Sequence, residues 1–228
     1  LKKLVIPLII EQALAVTVGM VDTIMISSVG EAAVSGISLV DMINILLINI
    51  FAALATGGAV VSSQFIGAQD RERAKASASQ LLFVTLMASL LLAVAALVFK
   101  RPILNVVFGR IEADVMENAL TYLMYSALSY PFLALYNACA ALFRSMGNSR
   151  ISMLTSLLMN VINIVGNAIL IFGFGMGVAG AAIATLVSRV VAAAGMLVLI
   201  ARDTNLIYID FKEKFAPNWA MIKKILYI

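Results

Sequence analysis

The chain has 228 residues, 63% of them hydrophobic and 12% charged, with a mean hydropathy of +1.05. Soluble domains are about half apolar and about a quarter charged, so this composition excludes an ordinary water-soluble globule and points to a membrane protein. The net charge of +4 comes from basic residues in short breaks between apolar runs, which form no nucleic-acid stripe; His is absent and Cys139 is the sole cysteine, which excludes a Cys/His metal site and an internal disulfide framework.

A bilayer-spanning helix needs about 20 mostly apolar residues, and six runs meet that length. The first, Leu4–Val29, is too long and too polar for a cleaved signal peptide. It carries Glu11 near its inner end and, deeper, Asp22, which has no adjacent base. A charge near the bilayer centre costs at least ~2.5–3.5 kcal/mol, so such residues face a protein interior or a watery cavity. The second run, Val34–Ile66, exceeds the bilayer thickness and is expected to tilt or extend into water; Asp41 lies about two turns from its outer end. GAQDRERAKA leads to the third run, Ser77–Phe99. Ile103–Asn118 is weakly amphipathic and predicted to lie along the outer surface.

The fourth run, Ala119–Phe143, contains Pro131, which should kink the helix or free a carbonyl, and Cys139, read as a small packing residue. The fifth, Ile151–Phe172, places Ser156, Asn160, Asn163 and Asn167 on one helical stripe. The bland alternative for that stripe is hydrogen bonding between helices. GFGMG is too short for a phosphate loop. The sixth run, Val178–Ala201, carries Thr185 and, four residues on, Arg189 on the same face. For Arg189 an ion pair inside the lobe, with Glu11 or Asp41, is preferred to substrate contact. Gly57, Gly58, Gly177 and Gly180 are read as sites of close helix packing. No nucleophile–base pair, metal-ligand set or phosphate loop is visible, so an enzyme is not expected.

Depth connects three of these spans. Asp22 lies about 27 Å along the first from its inner end, Asn167 about 24 Å along the fifth, and Thr185 about 10 Å in from the outer start of the sixth. A carboxylate with neutral oxygens suits a hard cation such as sodium, and a carboxylate in a dry pocket can carry a proton. Asp22, Asn163, Asn167 and Thr185 are therefore the candidate cation-coupling residues, with sodium at Asp22, Asn163 and Asn167 as one form and a proton as the other. Glu11, Asp41, Asn160 and Arg189 are secondary polar candidates.

Cytoplasmic loops hold an excess of Lys and Arg. With the N-terminus inside, ten basic residues are cytoplasmic: Lys2, Lys3, Arg71, Arg73, Lys75, Arg144, Arg150, Arg202, Lys212 and Lys214. Three are outside, Lys100, Arg101 and Arg110. The closing IKKILYI is similar to the opening LKKLVIP. These features predict a six-helix lobe over residues 1–201, a cytoplasmic inter-lobe linker over 202–217, and the start of a second lobe over 218–228. Parallel repeats of six helices are one known transporter plan.

Four segments resemble one family in its order. PLIIEQ with VDTIMISSVGEAAVSGISL, then ALATGGAVVSSQFIGAQDRERA, then ALFRSMGNSR, then the run from Asn160 through GVAGAAIAT to Thr185 are similar to the N-terminal half of multidrug and toxic compound extrusion (MATE) transporters. The resemblance implies an all-α membrane fold of twelve helices in two six-helix lobes around a central cleft. It implies an antiporter in the cell membrane, N-terminus cytoplasmic, that exports amphiphilic, often cationic, organic compounds against proton or sodium entry, with no other cofactor. It implies that the acid of the VDT motif, Asp22, is functional, and that Asn163, Asn167 and Thr185 join it in a cation site, as their counterparts do in some members. Some members carry a second acid where this chain has Asn167, which leaves the coupling ion open. The alternatives are a lipid-linked-sugar flippase of the same superfamily, whose cleft should hold several basic residues, and a non-transporting structural subunit.

Overall fold

The computed structural model describes residues 2–210 and 216–227. Leu1, Ile228 and the linker lysines Lys212 and Lys214 lie outside the described residues, as do the side chains of residues 2–4 and 15.

Eight α-helices are described: α1 Lys2–Ser27, α2 Glu31–Gly67, α3 Arg71–Val98, α4 Lys100–Phe108, α5 Ala113–Ser145, α6 Ser149–Asn167, α7 Gly177–Ile200 and α8 Trp219–Leu226. A π-helical turn, Ala168–Gly173, continues α6. Six helices, counting α6 with its π turn, are long and apolar enough to cross a membrane. They match the six predicted spans, but several begin earlier. α3 starts at Arg71 and α5 at Ala113, six residues ahead of each apolar run. Their first turns carry Glu72 and Asp114, which favour the positive end of a helix, a signal hydrophobicity does not register.

Short turns set the up-and-down order. At the basic end of the bundle the amides of Gln69 and Asp70 donate to the carbonyls of Ile66 and Phe65, and Asp70 accepts from Arg73 N at 3.0 Å to cap α3. The α5–α6 turn repeats the pattern, Gly147 and Asn148 donating to Arg144 and Phe143. Each turn holds one residue with positive φ, Gln69 at 60° and Gly147 at 81°.

α5 is the central post. It packs against α2, α3 and α7, while α1 packs chiefly along α6 and α6 along α7. Tyr130, Phe143, Leu123 and Leu142 of α5 are fully buried. Phe51 of α2 meets Tyr130 with ring centroids 6.3 Å apart. Close approach has a specific cause: a Cβ on Gly36 of α2 would come within 2.9 Å of the backbone of Val115 and Ala119 on α5. α5 runs unbroken through Pro131, which has no N–H to offer the Ala127 carbonyl. Cys139 is buried among these packed residues.

Ile103–Asn118, expected to lie along the surface, is divided between two helices. α4 ends at Phe108 because Gly109 turns with φ 73°, and α5 already begins at Ala113. After α7 the chain folds back onto the bundle. Ile207, Ile209, Ile222 and Ile225 are buried, and Gln80 of α3 grips the segment before α8 from both sides of its amide, donating to Ala216 O at 2.8 Å and accepting from Asn218 N at 3.1 Å.

Candidate functional site

At the end of the bundle away from the basic α2–α3 and α5–α6 turns, α1, α2, α5, α6 and α7 border a cavity of about 90 Å³ lined by Asp22, Asp41, Tyr122, Asn167 and Thr185. Thr23 and Ser38 also line it, but their hydroxyls donate to carbonyls within their own helices, at 2.8 and 2.7 Å. Asp22 is half-buried on α1. Its Oδ1 accepts from Asn167 Nδ2 at 2.8 Å. Hydrogen-bond partners orient the Asn163 amide so that its nitrogen faces both Asp22 oxygens at 3.0 Å and its oxygen faces Thr185 Oγ1 at 3.1 Å, whose single proton is shared with the Ala181 carbonyl at 3.0 Å. The four residues expected to share a site thus form one connected cluster from three helices.

The cluster is unfinished in one respect. Asn167 is 1% exposed, and its Oδ1 has no hydrogen-bond partner. A buried amide oxygen without a donor costs about 1–3 kcal/mol. It sits on a side chain that lines the cavity and already holds the Asp22 carboxylate. The π-helical turn follows Asn167 directly, and such turns are frequent at functional sites. A cavity of this size accepts a small ion with water, well below the ~300 Å³ of a drug-sized pocket.

The secondary candidates divide. Asp41 lines the cavity and accepts from Asn44 Nδ2 at 3.2 Å. Asn44 in turn reaches Ser126 Oγ at 3.4 Å and accepts from the Tyr130 hydroxyl at 2.9 Å. Arg189 does not form the expected ion pair. It makes no contact within 4.0 Å with Glu11 or Asp41 among the described residues, and Nη1 donates instead to Ser129 Oγ at 2.6 Å. The reason is position: Glu11 belongs to a separate cluster about 16 Å along α1 from Asp22. There it lies 3.9 Å from Arg144 and accepts from Tyr136 and Ser152, each at 3.4 Å. Asn160 is not among the cavity residues, and its Nδ2 is buried without a partner. The asparagine stripe is longer than one site, and of its members Asn163 and Asn167 meet Asp22.

Sequence reading passed over α5. Tyr122, Ser126, Ser129 and Tyr130 line the polar side of this span, at spacings of four, three and one. That stripe was visible beside Pro131 and marks the partners of Asp41 and Arg189.

The MatE family profile matches residues 7–169. The chain is 32% identical over 229 residues to the uncharacterized transporter YisQ of Bacillus subtilis, covering 97% of this chain and 49% of that protein. It is 27% identical to the multidrug export protein MepA of Staphylococcus aureus, covering 98% of this chain and 49% of that protein. It is 29% identical to the probable multidrug resistance protein NorM of Thermotoga maritima, covering 98% and 48%. Among solved structures, an outward-facing multidrug resistance MATE family transporter superposes with a TM-score of 0.91 at 25% identity, covering 99% of this chain and 50% of that one. A transporter from Pyrococcus furiosus, described as having a binding pocket of reverse polarity that suggests a different function, superposes at 0.90 and 25%, covering 98% and 49%. The chain spans about half the length of the curated relatives it matches.

Proposed function

Since the chain belongs to the MatE family of membrane transporters, we propose that its protein is a cation-coupled antiporter that exports amphiphilic, cationic organic compounds by alternating access. In this reading Asp22 takes the driving cation, sodium or a proton, with Asn163, Asn167 and Thr185 around it. The observation that carries it is the Asp22 carboxylate, held by Asn167 Nδ2 at 2.8 Å in the wall of a small cavity that Thr185 also lines, a negative oxygen site that a small cation would neutralise. Cation and exported compound favour different arrangements of the protein, so each drives the release of the other by linkage. The compound sits outside the small cavity. The basic α2–α3 and α5–α6 turns share one end of the bundle, which supports a cytoplasmic N-terminus in the cell membrane. Residues 202–217 then link this lobe to a second lobe that begins near α8. Two carboxylates facing one cavity fit export of cations better than a flippase for pyrophosphate-linked sugars.

The test is transport by the complete protein in liposomes under an imposed sodium or proton gradient. Asp22→Asn is expected to abolish gradient-driven efflux of a cationic dye while the protein still inserts. Efflux at the wild-type rate from that variant would overturn the reading.

A further inference from the structure

Resting on that reading, we propose that the cation is shared between Asp22 of α1 and Asp41 of α2, with Arg189 of α7 as their fixed counter-charge, so that one monovalent cation neutralises the site.

Both carboxylates line the same cavity, together with Asn167, whose nearly inaccessible amide oxygen has no partner. The chain has a neutral Asn167 on α6, and the second acid comes from a different helix. Asp41 is also tied to Arg189 through hydrogen bonds across α5. Asn44 Nδ2 joins Asp41 Oδ1 to Ser126 Oγ, the Ser129 hydroxyl donates to Ser126 O at 2.6 Å, and Arg189 Nη1 donates to Ser129 Oγ. Arg189 therefore sits near Asp41 without neutralising it by contact.

Charge counting gives the stoichiometry. Asp22, Asp41 and Arg189 sum to one negative charge when all are ionised. Glu11, the remaining acid in the apolar runs, is offset by Arg144 at 3.9 Å. A net charge among membrane helices is costly, and a single sodium ion or proton removes it. A divalent ion would leave one positive charge. In the loaded state α1 and α2 are bridged through the cation. In the empty state the two carboxylates repel, and only Arg189 offsets them.

The experiment measures cation occupancy of the purified complete protein, as bound radioactive sodium plus protons taken up from weakly buffered solution. Four variants are compared with wild type. Asp41→Asn makes the site neutral and is expected to weaken cation binding at least about tenfold. Arg189→Gln, which keeps an N–H for Ser129, should tighten it at least about tenfold. The double variant restores one negative charge and should return toward wild-type affinity. Asp22→Asn should lose the cation outright. Failure of the double variant to regain binding would overturn the charge-balanced site. Unchanged binding in Asp41→Asn, with loss in Asp22→Asn, would likewise overturn it and leave the antiporter reading standing. Retained binding in Asp22→Asn would remove both.

Discussion

Asn167 shows what a single side chain contributes. Its nitrogen holds the Asp22 carboxylate at 2.8 Å while its oxygen is buried without a donor. Replacing it removes a charge-assisted hydrogen bond and one oxygen donor together. Asn167→Ala is expected to raise the half-saturating concentration of the driving cation by about ten- to a hundredfold, with a smaller effect on maximal export. Flux measured against cation concentration checks this, and an unshifted curve would contradict it. At this scale the sequence was legible where polarity is rare. An acid or asparagine in an apolar span stands out, and helical depth alone put Asp22, Asn167 and Thr185 at one level. Pairing was not legible. Arg189 and Asp41 carry opposite charges, yet Arg189 turns to Ser129, because which rotamer reaches which atom depends on neighbours from other spans.

Among the elements, α5 has most to lose from small changes, since α2, α3 and α7 all pack closely along its length. Gly36→Val should push α2 off α5, because the new Cβ would meet the backbone of Val115 and Ala119, which cannot swing aside. A cost of about 1–3 kcal/mol is expected, read as a lower Tm of the detergent-solubilised protein. Gly195→Ala on α7 is the control. Nothing lies within 4 Å of its added Cβ, and loss of a helical glycine should leave the Tm unchanged or slightly raised. Equal losses in the two variants would contradict this account of the α2–α5 contact. Span count and order were readable from hydrophobicity, but their ends were not. Apolar runs mark where lipid or core begins, whereas helices start at capping residues such as Asp70, outside those runs. The break at Gly109 was missed because weak amphipathicity over 103–118 does not record a left-handed residue.

The whole lobe has a sidedness that can be measured. A membrane-impermeant thiol reagent applied to intact cells is expected to label Asn105→Cys on α4, and to label Ala68→Cys in the α2–α3 turn only after permeabilisation. Both positions are exposed, and the native Cys139 is fully buried and stays silent. The reverse pattern would invert the proposed orientation. By itself the amino-acid sequence determined the membrane class, the six spans, their alternation and the short roll of polar residues that a bilayer makes costly, since each follows from transfer of side chains and backbone between water and hydrocarbon along one chain. Only the tertiary structure decided that Asp22 and Asp41 face one cavity, that Glu11 pairs elsewhere, and that the Asn167 oxygen is left unpartnered. Those outcomes depend on how helices distant in sequence rotate and approach, which is set by packing of their full surfaces and not by the composition of any one of them.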